Sequence, residues 1–374
     1  MTVWIGAESM ITPLGLGAEN NFNKIINGKI AIKKNLIIPG LKRPVTASVI
    51  EEPLNFGSDN LALTKIESLS LAAINDCLSF VDQKQLGKTL FILSTTKGDI
   101  EKLNSGLLEE ARPSYLCNRL LQFIPFKVDA KTISMACISG LLSIIHATDL
   151  IKAGEYESVL VLGADLVSRF TLSGFESFFA LSPDFCKPYD KTRNGLNLGE
   201  AAAAVLLSKN KNVFKTQALI FEGGASANDA NHISGPSRTG EGLVRAIEKS
   251  LKLTGTDRKS IDFISSHGTA TIYNDDMESV AFNRCDIETI PTSSFKGFFG
   301  HTLGAAGVLE MAVCMQSMRK SILPINMGIK TNGTVSALNI LHKNKAQEIK
   351  VILKTASGFG GCNAAGILKN PHLS

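Results

Sequence analysis

The sequence predicts an α/β protein with a parallel sheet that is covered by helices. Strand-like and helix-like segments alternate with short links, which is the pattern of βαβ units. The apolar segments 89–94 and 158–165 lack polar alternation, as expected for strands that are buried on both faces. A strand, a loop of small residues and an apolar helix also occur twice, most clearly in 134–154 and 294–320. This repetition indicates an internal duplication in structure.

The first half of the chain contains the elements expected of one such unit. The expected strands are 3–7, 89–94, 128–133, 158–165 and 201–207. The expected helices are 18–27, 64–80 and 141–154, with less regular helical character in 99–125. The segment 32–52 has no clear periodicity.

The second half begins after a polar, Lys- and Asn-rich stretch at 208–216, and the pattern then repeats. We therefore expect two domains, 1–212 and 213–374. The expected strands of the second are 218–221, 262–265, 290–293, 349–355 and 364–368, and the expected helices are 242–253, 277–284 and 304–319.

Composition excludes several classes of protein. The chain has 374 residues, 44% of them hydrophobic, and a net charge of only +5 without a concentrated basic patch, which argues against nucleic-acid binding. No apolar run approaches the length of a membrane span, and the N-terminus lacks the features of a secretion signal. Seven cysteines without a C-x-x-C pair give no support for a metal site. We expect a cytoplasmic protein with reduced thiols.

The segment 134–140 predicts a tight corner between a strand and a helix, with Cys137 at the turn. A thiol at a helix N-terminus meets unpaired N–H groups and the positive end of the helix dipole, which stabilise the nucleophilic thiolate. Gly140 would allow another backbone or a substrate to approach closely. The alternative is a buried structural cysteine, which is the more common role of a free thiol.

Three further motifs follow predicted strands in the second half, where the ligand sites of parallel sheets gather. They are residues 266–271 (Ser-His-Gly-Thr-Ala-Thr), 296–307 (Lys-Gly-Phe-Phe-Gly-His-Thr-Leu-Gly-Ala-Ala-Gly) and 358–363 (Gly-Phe-Gly-Gly-Cys-Asn). Each alone is more often structural, and the Gly-rich segment alone is usually a turn. No strand–GxGxxG–helix unit supports nucleotide binding.

Together with residues 135–140, these motifs resemble those of the β-ketoacyl-[acyl carrier protein] synthases, condensing enzymes with the thiolase fold. Residues 11–15 and 187–201 also resemble segments of that family. The resemblance runs through the whole chain in the same order. It implies a thiolase-like fold in which two pseudo-duplicated βαβ halves form a layered α-β-α-β-α sandwich.

The resemblance implies a decarboxylative Claisen condensation. Cys137 would hold an acyl group as a thioester, with the backbone N–H groups of Cys137 and Phe359 as the oxyanion hole. A malonyl thioester would lose CO2, and neutral His267 and His301 would donate hydrogen bonds from Nε2 to the enolate. The product would be a 3-ketoacyl thioester for fatty acid, polyene or polyketide synthesis.

Other residues have supporting roles by the same resemblance. Lys296 is expected to assist the catalytic histidines through hydrogen bonds and charge, and Glu310 to organise that lysine. Asp275 is expected to hold the loop that carries the pantetheine-binding Thr269 and Thr271.

The resemblance further implies that acyl carrier protein is a partner and that no cofactor is needed, because substrates arrive on the carrier's phosphopantetheine arm. A homodimer, or a heterodimer with a related ketosynthase subunit, is expected. Lys187, Lys191 and Arg193 are candidates to dock the acidic carrier, although a solvated loop is an equally good interpretation.

Two alternatives stay open: a non-elongating partner subunit that resembles a chain-length factor, and a thiolase-type acyltransferase. The presence of Cys137 disfavours the first, and the pair of histidines disfavours the second. The chain departs from the family pattern at Ile138 and Cys362, and in the shortened segment 95–126. The departure at Ile138 concerns the acyl channel, and that at Cys362 concerns the oxyanion loop. The shortened segment concerns the partner surface and the acyl pocket.

Overall fold

The computed structural model describes residues 1–41, 43–51, 63–229, 235 and 237–373. Its strands are β1 Trp4–Thr12, β2 Gly15–Leu16, β3 Lys33–Leu36, β4 Val45–Ala47, β5 Thr89–Ser94, β6 Asp129–Ile133, β7 Ser158–Asp165, β8 Ala201–Ser208, β9 Leu219–Asn228, β10 Phe263–Ser265, β11 Thr292–Ser293, β12 Ile322–Leu323, β13 Lys345–Ala346, β14 Val351–Gly358 and β15 Cys362–Lys369. Its α-helices are α1 Ala18–Ile26, α2 Lys65–Ser79, α3 Pro113–Leu121, α4 Ser139–Lys152, α5 Arg169–Ser177, α6 Glu241–Thr254, α7 Ile272–Arg284, α8 Lys296–Phe299 and α9 Ala306–Lys320.

The large sheet is built from two copies of one topology. Across the described residues its strand order is β11-β10-β14-β15-β9-β1-β8-β7-β5-β6, with β2 beside β1. Within each half, the third strand in sequence is followed in space by the second, fourth, fifth and first. The directions of the four pairings also agree between the halves. The internal duplication expected from the sequence is therefore confirmed.

The two halves of the sheet join through their first strands. β1 and β9 pair antiparallel over two positions, Trp4 with Ile220 and Ile5 with Leu219. This short junction makes the sheet continuous, although each half carries its own layers of helices.

The expectation of a parallel sheet is wrong for part of each half. β8 runs antiparallel to both β7 and β1, and β15 runs antiparallel to both β14 and β9. Residues 359–361 alone join β14 to β15, and a link of this length reverses the chain instead of crossing over to a parallel strand. The sheet is thus parallel at its outer strands and antiparallel towards its middle.

Helices form three layers around the two half-sheets. The helices α4 and α9 pack between them and contact strands of both halves, in the largest apolar core. The helices α2 and α3 cover the outer face of the first half, and α6 and α7 cover that of the second. This arrangement confirms the layered α-β-α-β-α sandwich, and it places the N-termini of the central helices next to each other.

Candidate active site

A cavity of about 760 Å³ is lined by residues of both halves. Cys137 comes from the loop before α4, and His267 and His301 come from the loops after β10 and α8. The three motif regions of the second half therefore meet the Cys137 corner in one pocket, although they are far apart in sequence.

The corner at Cys137 has the predicted strand–turn–helix form. Ala136 has a φ of +43°, in the left-handed region that is unfavourable for a residue with a side chain. The Ser139 hydroxyl accepts a hydrogen bond from the Met135 backbone N–H at 2.7 Å and donates to the Ala136 carbonyl at 2.6 Å. These two hydrogen bonds hold the strained turn and aim Cys137 into the pocket. They were not predicted from the sequence.

Gly140 serves the approach of a second backbone, one of the two roles expected from the sequence. A Cβ at this position would lie 2.8 Å from the Val308 backbone nitrogen of α9. The first turns of α4 and α9 are consequently in direct contact, which fixes the thiol relative to the loop that carries His301.

The expected stabilisation of the thiolate is not the net effect on Cys137. Burial raises the pKa of the Cys137 thiol to about 12, and the neighbouring Cys362 acts in the same direction, whereas the charges of Lys296 and Lys97 oppose it. Removal of the sulfur from water therefore outweighs the helix N-terminus and the two lysines. The Cys137 thiol is therefore protonated at neutral pH.

The thiol and the two imidazoles form a compact group. The Cys137 sulfur and one ring nitrogen of each of His267 and His301 all lie within 4.8 Å of one another. The two rings are 5.2 Å apart between centroids and nearly perpendicular, at 84°. Thiolate and imidazole are also zinc ligands, so a soft metal ion bound here would occupy the place of a substrate.

Both histidines direct an N–H towards the pocket. The Lys296 ammonium, which can only donate, lies 3.3 Å from Nδ1 of His267, and the Leu303 backbone N–H donates to Nδ1 of His301 at 3.4 Å. A neutral imidazole that accepts at Nδ1 carries its proton on Nε2. Burial, followed by the charge of Lys296, lowers the pKa of both rings well below 6.5, so both are neutral. Nε2 of His301 is buried without a protein partner among the described residues.

The backbone of His301 is held by the first half of the chain. Its N–H donates to the Asn197 carbonyl at 2.7 Å, and its carbonyl accepts from the Gly199 N–H at 3.0 Å. A Cβ at Gly199 would lie 2.0 Å from the Phe299 carbonyl oxygen, so only glycine fits there. This contact explains the small residue that precedes Glu200 in the segment 187–201.

Lys296 and Glu310 form a buried ion pair behind the histidines. The Lys296 ammonium is 2.8 Å from Glu310 Oε1 and 2.6 Å from the His267 carbonyl oxygen. The Lys354 ammonium lies 2.7 Å from Glu310 Oε2. Against the effect of burial, the charges of Lys296 and Lys354 lower the pKa of Glu310. Lys354 was not predicted from the sequence, where its only signal is a single lysine within the apolar strand β14.

Two acidic residues of α7 hold the loop that follows β10. Asp275 accepts hydrogen bonds from the backbone N–H groups of Thr269, at 2.9 Å, and Tyr189, at 2.7 Å. Glu278, which the sequence analysis also missed, accepts from the N–H groups of His267 and Gly268 at 2.8 and 2.6 Å. Burial raises the pKa of Asp275 to about 7. The loop geometry thus depends on carboxylates from the first two turns of the helix that follows the loop.

The hydroxyls of Thr269 and Thr271 are 2.8 Å apart and both residues line the cavity. Phe359 lines it from the opposite loop and packs against two rings, Phe175 and Phe178, at centroid distances of 5.4 Å. A Cβ at Gly358 would lie 3.1 Å from the Cys137 backbone nitrogen, so this loop is directly beside the nucleophile.

Arg193 is not available to dock a partner, contrary to one interpretation of its loop. Its guanidinium is buried and lies 2.6 Å from Asp276 and 3.7 Å from Asp275. Lys191 is exposed and Lys187 is half-buried. Arg193 therefore belongs to the structure that supports the Thr269 loop.

None of the helices in the described residues has the length and apolar composition of a membrane span.

Comparison with known proteins identifies the family. The family model described as "Beta-ketoacyl synthase, N-terminal domain" matches residues 83–212, and the model described as "Beta-ketoacyl synthase, C-terminal domain" matches residues 218–330. A putative mitochondrial 3-oxoacyl-[acyl-carrier-protein] synthase of Schizosaccharomyces pombe is 28% identical, over 95% of this chain and 96% of the relative. The 3-oxoacyl-[acyl-carrier-protein] synthase 2 of Rhizobium meliloti is 27% identical, over 98% of each chain.

Solved structures show the same fold. The ishigamide ketosynthase/chain length factor superposes with a TM-score of 0.88 at 24% identity, over 99% of each chain. A chain of the complex between the ketosynthase ApeO and its chain length factor ApeC from Xenorhabdus doucetiae gives a TM-score of 0.84 at 25% identity over 98% of each chain. The chain belongs to the β-ketoacyl synthase family, the condensing acyltransferases of fatty acid and polyketide synthesis.

Proposed function

We propose that this β-ketoacyl synthase condenses an acyl thioester, held on Cys137, with malonyl-acyl carrier protein to give a 3-ketoacyl-acyl carrier protein. One observation carries the assignment of roles: the Cys137 sulfur and a nitrogen of both His267 and His301 lie within 4.8 Å in one pocket. A thiol paired with two neutral N–H donors suits acyl transfer followed by enolate formation.

In the first step, the Cys137 sulfur attacks the carbonyl carbon of the incoming thioester. The new S–C bond replaces the bond to the carrier's sulfur, and the thiol proton leaves with that sulfur. No external base is consumed, which fits a nucleophile that is protonated at rest. The negative charge on the carbonyl oxygen is stabilised by the backbone N–H groups of Cys137 and Phe359, which lie in adjoining loops.

In the second step, the malonyl group loses CO2, and the electron pair of the broken C–C bond forms an enolate. Nε2–H of His267 and of His301 donates to the enolate oxygen. The carbanion then attacks the carbonyl carbon of the acyl group on Cys137. The new C–C bond replaces the S–C bond, and the departing Cys137 thiolate takes up one proton from solvent. Lys296 and Glu310 support the step by fixing His267, and they do not transfer the proton themselves.

The substrate arm enters past the loop that carries Thr269 and Thr271. Both residues line the cavity, and their hydroxyls can hydrogen bond the amides of a pantetheine chain. Relatives are named for acyl-carrier-protein substrates, and we propose the same partner for this chain. No resident cofactor is then required, because the carrier supplies the phosphopantetheine.

We also propose that the protein works as a dimer. Strand β6 lies at the edge of the sheet, with Asp129 and Lys131 exposed. An edge strand offers unpaired N–H and C=O groups to a second strand. A second copy, or a related subunit such as the chain length factor present in two solved relatives, would complete it. We further propose that the boundary between the two halves lies between residues 212 and 213, which gives the domains 1–212 and 213–374.

Two alternatives are less well supported. A non-elongating partner subunit does not need Cys137 aimed into a pocket with two imidazoles. A thiolase-type enzyme uses a second cysteine as its base. Here the Cys362 sulfur lies 3.4 Å from the Phe359 carbonyl oxygen and 3.9 Å from that of Met135, at the wall formed by the two loops.

The test is native mass spectrometry of the chain incubated with a panel of acyl carriers. We expect one acyl group per chain, lost in Cys137→Ala, together with a two-chain assembly. Cys314→Ala is the matched control, because Cys314 is buried in α9. If this chain is acylated only when a second, related subunit is present, the working form is the heterodimer. If this chain is not acylated under either condition, the partner-subunit alternative replaces the proposal.

A further inference from the structure

Glu310 lies between two buried ammonium groups. Its Oε1 is 2.8 Å from Lys296 and its Oε2 is 2.7 Å from Lys354, and the side chains of the three residues are at most 4% exposed. One carboxylate between two cations leaves this cluster with a net positive charge. Such a surplus is costly away from water, because burial of an ion without full compensation is unfavourable. A second lysine here therefore calls for a physical explanation.

Lys354 is fully engaged. Besides Glu310, its ammonium meets the carbonyl oxygens of Thr355 at 2.6 Å and Ser265 at 3.3 Å. It donates hydrogen bonds to these two carbonyl oxygens and forms an ion pair with Glu310, whose Oε2 accepts no hydrogen bond among the described residues. Lys354 is paired in register with Ser265 across β14 and β10, and Ser265 is two residues before His267. The lysine is thus attached to the C-terminal end of β10, directly before the loop that carries His267.

Lys296 has the same number of partners. Its ammonium meets Glu310, the His267 carbonyl oxygen and Nδ1 of His267. Glu310 Oε1 accepts one N–H of the Lys296 ammonium and so limits how that ammonium can rotate. The direction of the N–H that points to Nδ1 of His267 therefore depends on the orientation of the Glu310 carboxylate. The Glu310 carboxylate is in turn held on its far side by Lys354. A continuous chain of contacts therefore runs from Lys354 through Glu310 and Lys296 to His267.

We propose that Lys354 is a positioning residue that acts through Glu310 and Lys296 to hold His267 as the neutral Nε2–H donor of the decarboxylation step. This inference rests on the proposed condensing function. Lys354 does not reach the substrate, and its effect is on the tautomer and the charge of the imidazole. A neutral residue at this position would leave Glu310 free to turn and Lys296 free to leave Nδ1.

The charges around His267 support the same conclusion. Besides Lys296 and Lys354, the groups that face it are His301 across the pocket, Glu310 on α9, Glu278 on α7 and the Cys137 thiol. Burial, then Lys296, and also His301 and Lys354, lower the pKa of His267. Removal of Lys354 leaves a neutral Lys296–Glu310 pair, so one obstacle to a protonated His267 disappears.

The test compares Lys354→Met, which keeps the length without the charge, with Lys354→Arg. Lys369→Met is the matched control, because Lys369 is on the same hairpin and pairs with Glu222 away from the pocket. In Lys354→Met, we expect malonyl-carrier decarboxylation to fall roughly 10- to 100-fold, the usual effect of losing a group that orients a reactive ligand. The pH at which the decarboxylation rate falls on the acid side of its pH profile (the acid limb) should move up towards the ordinary imidazole pKa of about 6.5. Acylation of Cys137 should fall much less, and Lys354→Arg should retain the wild-type acid limb.

Nitrogen NMR of histidine-labelled protein gives a readout that needs no turnover. Wild-type His267, assigned with His267→Ala, should be a neutral Nε2–H ring at pH 6, and Lys354→Met should show the Nδ1–H form or the imidazolium. The inference is overturned if wild-type His267 is not Nε2–H, or if the variant keeps both this ring state and the acid limb. A wild-type enzyme that neither acylates nor decarboxylates would instead refute the proposed function.

Discussion

The Asp165 carboxylate, at the end of β7, accepts a hydrogen bond of 2.7 Å from the Gly304 backbone N–H, three residues after His301. The same carboxylate accepts from the hydroxyl of Thr95 at 2.8 Å, and from the hydroxyl and N–H of Thr96 at 2.9 and 3.0 Å. It is buried, and each of these partners can donate. Asp165 thus joins two strand ends of the first half to the histidine loop of the second.

Replacement of Asp165 by Asn should weaken this junction. The amide NH2 of Asn would stand where a carboxylate oxygen accepts hydrogen bonds, so donors would face a donor. A buried donor without an acceptor costs about 1–3 kcal/mol in the free energy of unfolding. We expect a lower melting temperature and slower decarboxylation, because the His301 loop loses its attachment. Asp149→Asn, on the exposed side of α4, is the control and should change neither property. Wild-type stability in the Asp165 variant would show that the junction is not needed.

The contact between the central helices gives a second prediction. A Cβ at Gly307 would lie 2.2 Å from the Leu141 nitrogen and 2.7 Å from the Gly140 carbonyl carbon. Gly307→Ala should therefore cost about 1–3 kcal/mol in the free energy of unfolding, the usual effect of overpacking, measured by denaturant titration. Gly174→Ala, in α5 with no atom near the added methyl group, should be neutral or slightly stabilising. Equal effects of the two substitutions would contradict the close approach.

The pH dependence of decarboxylation should reflect two neutral histidines. The pKa of both rings is lowered well below 6.5, so the neutral form persists as the pH falls through that value. Malonyl-carrier decarboxylation by Cys137→Ala should stay level from pH 8 to 6.5 and fall only in more acidic solution. Circular dichroism at each pH would separate this fall from unfolding. A midpoint between pH 6 and 7 would mean that the imidazoles are not shielded in this way.

The thiol itself should be slow to react with simple alkylating agents. Because burial raises the pKa of Cys137 to about 12, the thiolate fraction rises with pH through the whole neutral and mildly alkaline range. The rate of iodoacetamide modification, followed at Cys137 by peptide mass spectrometry, should increase about tenfold per pH unit between 7 and 9. A rate that levels off below pH 8 would support the helix N-terminus as the dominant influence.

Local sequence patterns predicted much of the fold and the central residues of the site. The strands at 89–94 and 158–165 have the expected bounds, because continuous apolar composition between polar links defines both ends. Cys137, His267 and His301 were found through motifs in which the neighbouring small residues are as informative as the reactive ones. Glycine at positions such as 199 and 307 is required by close backbone contacts, and it marks the motif even before the contact is known.

The remaining features depend on contacts between distant segments. Asp165, Glu278 and Lys354 are single polar residues in or beside regular elements, and the local sequence does not show which groups they contact. The helix α5, which brings Phe175 and Phe178 to Phe359, was missed although Ser168 and Thr171 form a capping box at its start. The pKa of Cys137 was predicted in the wrong direction, because the helix terminus is visible in the sequence and the depth of burial is not.

The division of labour between the thiol and the imidazoles is tested most directly by measuring the mass of the intact enzyme and the release of CO2 in the same reaction. With an acyl carrier and malonyl carrier, Cys137→Ala should gain no acyl mass and still release CO2. His267→Ala and His301→Ala should each gain the acyl mass and lose decarboxylation roughly 100-fold or more, the scale seen when one donor to a developing oxyanion is removed. Condensed product from Cys137→Ala, or full CO2 release from both histidine variants, would contradict the account.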